Sequence, residues 1–187
     1  MTPEEKGWFD EIAKNRQDAW NLVLSRRAFR NIMRGVVEKY AGFGHFVYEL
    51  LQNADDVGAE AASFELRNDR LIFRHNGNVR FSVTSLASEE DENTEPGHLN
   101  AITSVGASTK VLENKIGNAI GKFGVGFKAV FKYTNRPEVY DDNMAFALEH
   151  YIVPKLIETD YPGRKAGETV FVFPFDREDK PNAREEI

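Results

Sequence analysis

Residues 45–59 read His45-Phe46-Val47-Tyr48-Glu49-Leu50-Leu51-Gln52-Asn53-Ala54-Asp55-Asp56-Val57-Gly58-Ala59, and the reading of the fold turns on this stretch. Glu49, Asn53 and Asp56 stand at i, i+4 and i+7. At about 100° per residue that spacing places them in one narrow stripe of a helix, with Asp55 pointing elsewhere. Leu50, Leu51, Ala54 and Val57 supply the apolar positions, so the polar stripe borders the side that packs. Gly58 is suited to close the helix. Such a stripe suits hydrolysis assisted by a hard cation: the Asn53 amide oxygen can ligate Mg²⁺ while the Glu49 carboxylate orients a water and accepts its proton. A lone Glu-x-x-x-Asn is ordinarily a solvated helix face, and the spacing by itself decides nothing.

Upstream, Thr2-Pro3-Glu4-Glu5 opens a first helix with a capping threonine, a proline at the first helical position and acids in the first turn. A second helix is predicted over about 26–40, where Arg26, Arg27, Arg30 and Arg34 form a solvated basic face, and the Gly42-Phe43-Gly44 break leads into the third. Downstream the hydrophobic period changes from 3.6 to 2. SFELRN and RLIFRHN form a ribbon joined by a hairpin-style turn at Asn68-Asp69. Residues 88–100 (SEEDENTEPGHLN) are polar and acidic and contain Pro96 and Gly97, which predicts a mobile loop with no core of its own. PEVYDD, MAFALEH and ETVFVFPF are further strand candidates. The expected organisation is an N-terminal helical extension over 1–40, one α/β (α+β) sandwich domain over 41–176, and a charged tail or start of a linker over 177–187.

Gly121-Lys122-Phe123-Gly124-Val125-Gly126-Phe127 is a second focus. Its glycines let the backbone approach a ligand closely, and it immediately precedes the helix-like run FKAVFKY, whose first amides suit an anion. Gly124 to Ala129 also satisfies the dinucleotide fingerprint G-x-G-x-x-A, with acids at Asp141 and Asp142 further on. That fingerprint must follow a buried strand, however, and VLENKIGNAIGKF is polar and interrupted by glycines. GNAIGKF is one residue short of a P-loop, and no Ser or Thr follows Lys122.

The 187 residues suit one main domain, and 41% hydrophobic residues with 14 Phe can build a core. Thirty acidic against 24 basic residues give a net charge of -6. There is no basic stripe with interleaved aromatics, which argues against direct nucleic-acid binding. Zero Cys excludes disulfides and thiolate metal sites. No apolar run approaches a membrane span and no signal pattern opens the chain, so the expectation is a soluble, cytoplasmic protein without membrane contact.

In order, YELLQNADDVGA, RHNG, SVGASTK, GKFGVGF and GETVFVFPF resemble the GHKL superfamily of gyrase, heat-shock chaperone, histidine kinase and MutL ATPases, over about Phe43 to Phe175. The QNADD helix, the HNG turn and the S-x-G-x-S-T-K segment are most similar to the sacsin-like branch of the ninety-kilodalton heat-shock chaperone family. The resemblance implies a Bergerat-type sandwich, a mixed and mainly antiparallel sheet covered by helices, with ATP and Mg²⁺ between the layers. It implies Glu49 as general base, Asn53 as Mg²⁺ ligand and Asp56 as the acid completing the helix motif beside the nucleotide. It assigns Gly121, Phe123, Gly124, Val125, Gly126 and Phe127 to the phosphate-cradling turn, and Ser108, Thr109 and Lys110 to a lid segment near the terminal phosphates. Thr169 matches a late threonine on the adenine side, with Glu168 inserted before it. The main departure is at the first glycine box. There the superfamily's Asp-x-Gly-x-Gly, whose Asp reads the adenine amino group, is replaced by His75-Asn76-Gly77-Asn78. Asn76 and His75 are the groups available to stand in, as neutral acceptors weaker than a carboxylate.

The resemblance thus implies a slow ATPase whose nucleotide state moves a lid over 88–121 and switches further domains of the same polypeptide. A nucleotide-dependent dimer is among the arrangements it allows. The alternative is a nucleotide-binding or scaffold module without hydrolysis.

Overall fold

A computed structural model of the chain describes residues 1–24, 26–28, 30–31, 35, 45–91, 93–104, 127–180 and 182–187. The chain is an α+β protein. Six strands, β1 (Ala62–Leu66), β2 (Arg70–His75), β3 (Glu138–Tyr140), β4 (Ala145–Glu149), β5 (Val153–Leu156) and β6 (Thr169–Pro174), form one sheet in the order β1-β2-β6-β3-β4-β5. Every strand pair among the described residues is antiparallel. The expected mixed sheet therefore has no parallel pair among them. The β1–β2 hairpin turns at Asn68-Asp69 as its sequence predicts, with Arg67 N–H donating to Arg70 O at 2.9 Å.

Period-2 alternation divides the sheet into two faces. Leu71 and Phe73 of β2, Phe171 and Phe173 of β6, Val139 of β3 and Phe146 of β4 point to one face and are buried there under the helices. That helical layer contains Phe9 and Ile12 of α1 (Pro3–Ala19), Phe46, Leu50 and Ala54 of α2 (His45–Asp56), and Phe127 and Phe131 of a 3₁₀ helix (Phe127–Lys132). On the other face Ile72, Tyr140, Val170 and Val172 pack with Tyr161 from the connection between β5 and β6. α1 starts as its sequence predicts: Thr2 Oγ1 accepts from Glu5 N–H, and the Glu5 carboxylate accepts from Thr2 N–H. The charged tail folds back, with Ala183 of the short α5 (Ala183–Glu186) buried in the main core. The second predicted helix falls largely outside the described residues, within which Arg26, Arg27 and Arg30 are exposed.

The structure corrects the reading of 88–100 as a mobile loop with no core of its own: its two ends pack, while the described residues from 90 to 95 are exposed. Two short helices, α3 (Ala87–Glu90) and α4 (His98–Thr103), occupy this stretch, and Leu99 and Ile102 are fully buried. Asn100, also buried, accepts from Thr84 N–H and donates to Thr84 O and to Glu89 Oε1. Glu89 in turn holds Arg16 of α1 through both oxygens at 2.7 Å. A polar composition gave no apolar signal because the ends of the segment are secured by hydrogen bonds to residues 82–85 and by one ion pair to Arg16. Gly97 sits where a Cβ would meet three backbone atoms, Val83 Cα, Ser82 O and Thr84 N, at 2.8, 2.9 and 2.9 Å. Gly97→Ala is expected to cost about 1–3 kcal/mol, the usual cost of overpacking, read as a lowered midpoint in urea unfolding; an unchanged midpoint would show that this approach is not tight.

Candidate functional site

α2 places its three polar residues at three depths. Asn53 is on the packing face with Phe46, Leu50 and Ala54, only 4% exposed, whereas Glu49 is half-buried at the rim and Asp56 is exposed. The stripe therefore borders the packing side at Asn53 and Glu49 and leaves it at Asp56. Leu51, expected among the apolar contacts, is exposed, as is Tyr48. Asn53 Nδ2 is buried without a hydrogen-bond partner and stands alone in this respect among the described residues. Buried amides are almost always paired, and an orphan costs roughly 1–3 kcal/mol. Glu49 has no ion-pair or hydrogen-bond partner among the described residues either.

The helix ends where the sequence predicts. Gly58, at φ +69°, takes the left-handed position and donates its N–H to Asp55 O at 2.8 Å. The first glycine box packs directly against this end. Asn78 N–H donates to Val57 O at 2.8 Å, and a Cβ on Gly77 would lie 2.3 Å from Val57 Cγ2. Asn76 is exposed, and its Oδ1 accepts from the backbone of both Glu60 and Ala61 at 3.0 and 2.8 Å. That oxygen secures the loop before β1, which leaves His75 as the side chain of the box facing inward.

His75 closes β2 directly opposite Thr169 of β6, on the helix-covered face, so the register brings together two residues far apart in sequence. Gly77 N–H donates to His75 Nδ1 at 3.1 Å. Burial drives the imidazole pKa down to about 4, with Asp141 opposing this and Arg80 adding to it. The ring is neutral at pH 7, and with Nδ1 accepting, the proton sits on Nε2. Thr169 Oγ1 donates to Asp141 Oδ2 at 2.8 Å and keeps its lone pairs as acceptors. The two strands thus present an N–H donor and a hydroxyl acceptor side by side, a combination that can meet the polar edge of a heterocycle.

Asp141, which the sequence offers only as an acid downstream of the dinucleotide fingerprint, has a place beside Thr169 that sequence reading missed. Its side chain is fully buried and accepts from Phe81 N–H, Asn143 N–H, Thr169 Oγ1 and Arg80. Its partners lie 60, 2, 28 and 61 residues away, so only the two-residue Asp141–Asn143 bond could have been found in local spacing. Of the glycine turn, Phe127 is described: buried, with its ring 6.1 Å from Phe171 and 6.2 Å from Phe173. α2 reaches the same strand through Phe46, 6.4 Å from Phe173. The asparagine helix and the segment leaving the glycine turn therefore lie on one face of β6. Ser108, Thr109, Lys110, Gly121, Phe123, Gly124, Val125 and Gly126 lie outside the described residues.

No helix among the described residues is long and apolar enough to cross a membrane. Over 131 residues the chain is 28% identical to Protein NO VEIN of Arabidopsis thaliana, an alignment covering 64% of this chain and 4% of that protein. The chain thus corresponds to a small part of that relative. The Sacsin domain family model matches residues 26–161, a span that includes the asparagine helix, the first glycine box, the glycine turn and Asp141. On that match, the chain belongs to the Sacsin domain family.

Proposed function

We propose that this domain binds ATP with Mg²⁺ in a Bergerat-type fold of the GHKL superfamily and hydrolyses it slowly, switching the conformation of a larger protein. The observation that carries the reading is the buried, unpartnered amide of Asn53. The orphaned atom is the Nδ2 donor, which an acceptor on a ligand, such as a phosphate oxygen, can satisfy. The Asn53 carbonyl oxygen is a hard donor of the kind Mg²⁺ takes, so the residue fits the metal that the reading requires. Mg²⁺ would supply charge neutralisation at the phosphates. Glu49, one turn earlier and without a partner among the described residues, is the carboxylate that would orient and deprotonate a water. His75 and Thr169 supply the polar groups for the base, and Asp141 fixes the Thr169 hydroxyl.

The dinucleotide reading of Gly124 to Ala129 loses ground, because its fingerprint belongs to a parallel βαβ unit and every described strand pair is antiparallel. Calorimetric titration of the chain with ATP, GTP and NADH, each with Mg²⁺ and with EDTA, tests the proposal. Saturable ATP binding that weakens with EDTA is expected. Absence of ATP binding, or equal binding of NADH, would overturn it. Binding without turnover would support a nucleotide-binding module that does not hydrolyse.

A further inference from the structure

Lys128 follows the last residue of the glycine turn and is buried inside the protein, 3% exposed. Its Nζ donates to Ile102 O in the last turn of α4 at 2.8 Å and to Tyr151 O in the β4–β5 turn at 3.5 Å. No carboxylate pairs with it among the described residues. The charged and titratable groups on the elements around it offer no compensation. Arg16 of α1 repels it, and Glu89 of α3 commits both oxygens to Arg16. His98 of α4 is engaged with Ser82, and His150 of the turn is stacked on Trp20 at 4.3 Å.

Two carbonyls match a neutral amine, which has two N–H donors. An ammonium has three donors and would leave one of them, and a full charge, without an acceptor among the described residues. The turn that aims Tyr151 O is itself costly, because His150 and Tyr151 adopt φ of 53° and 73°, values rare for residues other than glycine. A strained turn and a helix end are both secured to one buried nitrogen.

We propose that Lys128 is a proton-controlled positioning residue. Uncharged, it holds the end of α4 and the β4–β5 turn against the 3₁₀ helix that leaves the glycine turn, and proton uptake loosens that joint. Burial is the first cause and the Arg16 charge the second of a shift that brings its pKa from the usual 10.5 down to about 7. Between those values the unfolded chain holds the proton and the folded chain does not, so stability rises with pH.

Urea unfolding of the wild type and of Lys128→Met from pH 6 to 9.5 tests this. The ratio of the two folding constants should be flat below about pH 6.5 and climb by about tenfold per pH unit above about 7.5, the slope for one linked proton. A ratio independent of pH would overturn the proposal. If Lys128→Met does not fold, Lys128→Gln keeps two N–H donors without a titratable group and serves as the reference. Its effect on nucleotide affinity rests on the reading above: the wild type should bind magnesium ATP more weakly at pH 6.5 than at 8 relative to the variant. If neither protein binds ATP, the nucleotide reading fails, while the unfolding profiles still decide the role of Lys128.

Discussion

Replacing Glu49 by alanine is expected to lower ATP turnover by about 10²–10⁴-fold, the range for removal of a general base, while nucleotide affinity stays within a few fold. Glu49 sits half-buried at the rim of α2, one helical turn from Asn53, with no partner among the described residues. A carboxylate held by neither ion pair nor hydrogen bond among the described residues can address a water, and it is not part of the buried core. Steady-state turnover measured beside calorimetric binding separates the two effects. Loss of binding in parallel with turnover would make Glu49 a structural or metal-linked group and place the base elsewhere. If the unmodified chain binds ATP without turning it over, the comparison moves to the full-length protein, where further domains can complete the site.

Asn53→Ala is expected to abolish Mg²⁺-dependent ATP binding without unfolding the protein, an unusual combination for a buried residue. Truncating a well-paired core group normally destabilises. Here Nδ2 has no partner, so removing it relieves a desolvation cost of about 1–3 kcal/mol against the loss of a few packing contacts. The melting temperature should shift by no more than about 2–4 °C in either direction, the equivalent of ~1 kcal/mol for a chain of this size. Unchanged affinity in the presence of Mg²⁺ would sink the ligand assignment. A large fall in melting temperature would show that the amide has a structural partner instead.

Local signals were legible wherever the residues that set a feature are neighbours in sequence. The Thr2 cap, the Gly58 stop, the Asn68-Asp69 hairpin and strands β3, β4 and β6 all follow from short-range pattern. β5 did not show itself because Pro154 interrupts its short run; the strand is at the sheet edge, where a residue without an N–H is tolerated. α4 was hidden for a different reason. Its cohesion comes from Asn100 and Gly97 meeting residues 82–89, and a buried asparagine has the same sequence signature as a solvated one. On α2, periodicity put Asn53 and Glu49 beside the packing side, as the structure has them, but gave Leu51 to the core, since one apolar stripe two residues wide does not say where packing stops. The pairing of His75 with Thr169, and the Asp141 that binds Thr169, depend on strand register across the sheet, which no window of sequence contains.

β6 occupies the middle of the sheet between β2 and β3, yet of the six described strands it is synthesised last. The β1–β2 hairpin and the β3–β4–β5 meander can each form from adjacent chain as it emerges, but they remain two separate ribbons until residues 169–174 arrive to join them. Non-local closure of this kind is slow and leaves strand edges open in the meantime. The span matched by the family model ends at residue 161, before this strand. A fragment cut at that boundary would carry the asparagine helix, the first glycine box and Phe127 but lack the strand against which Phe46, His75 and Phe127 are set.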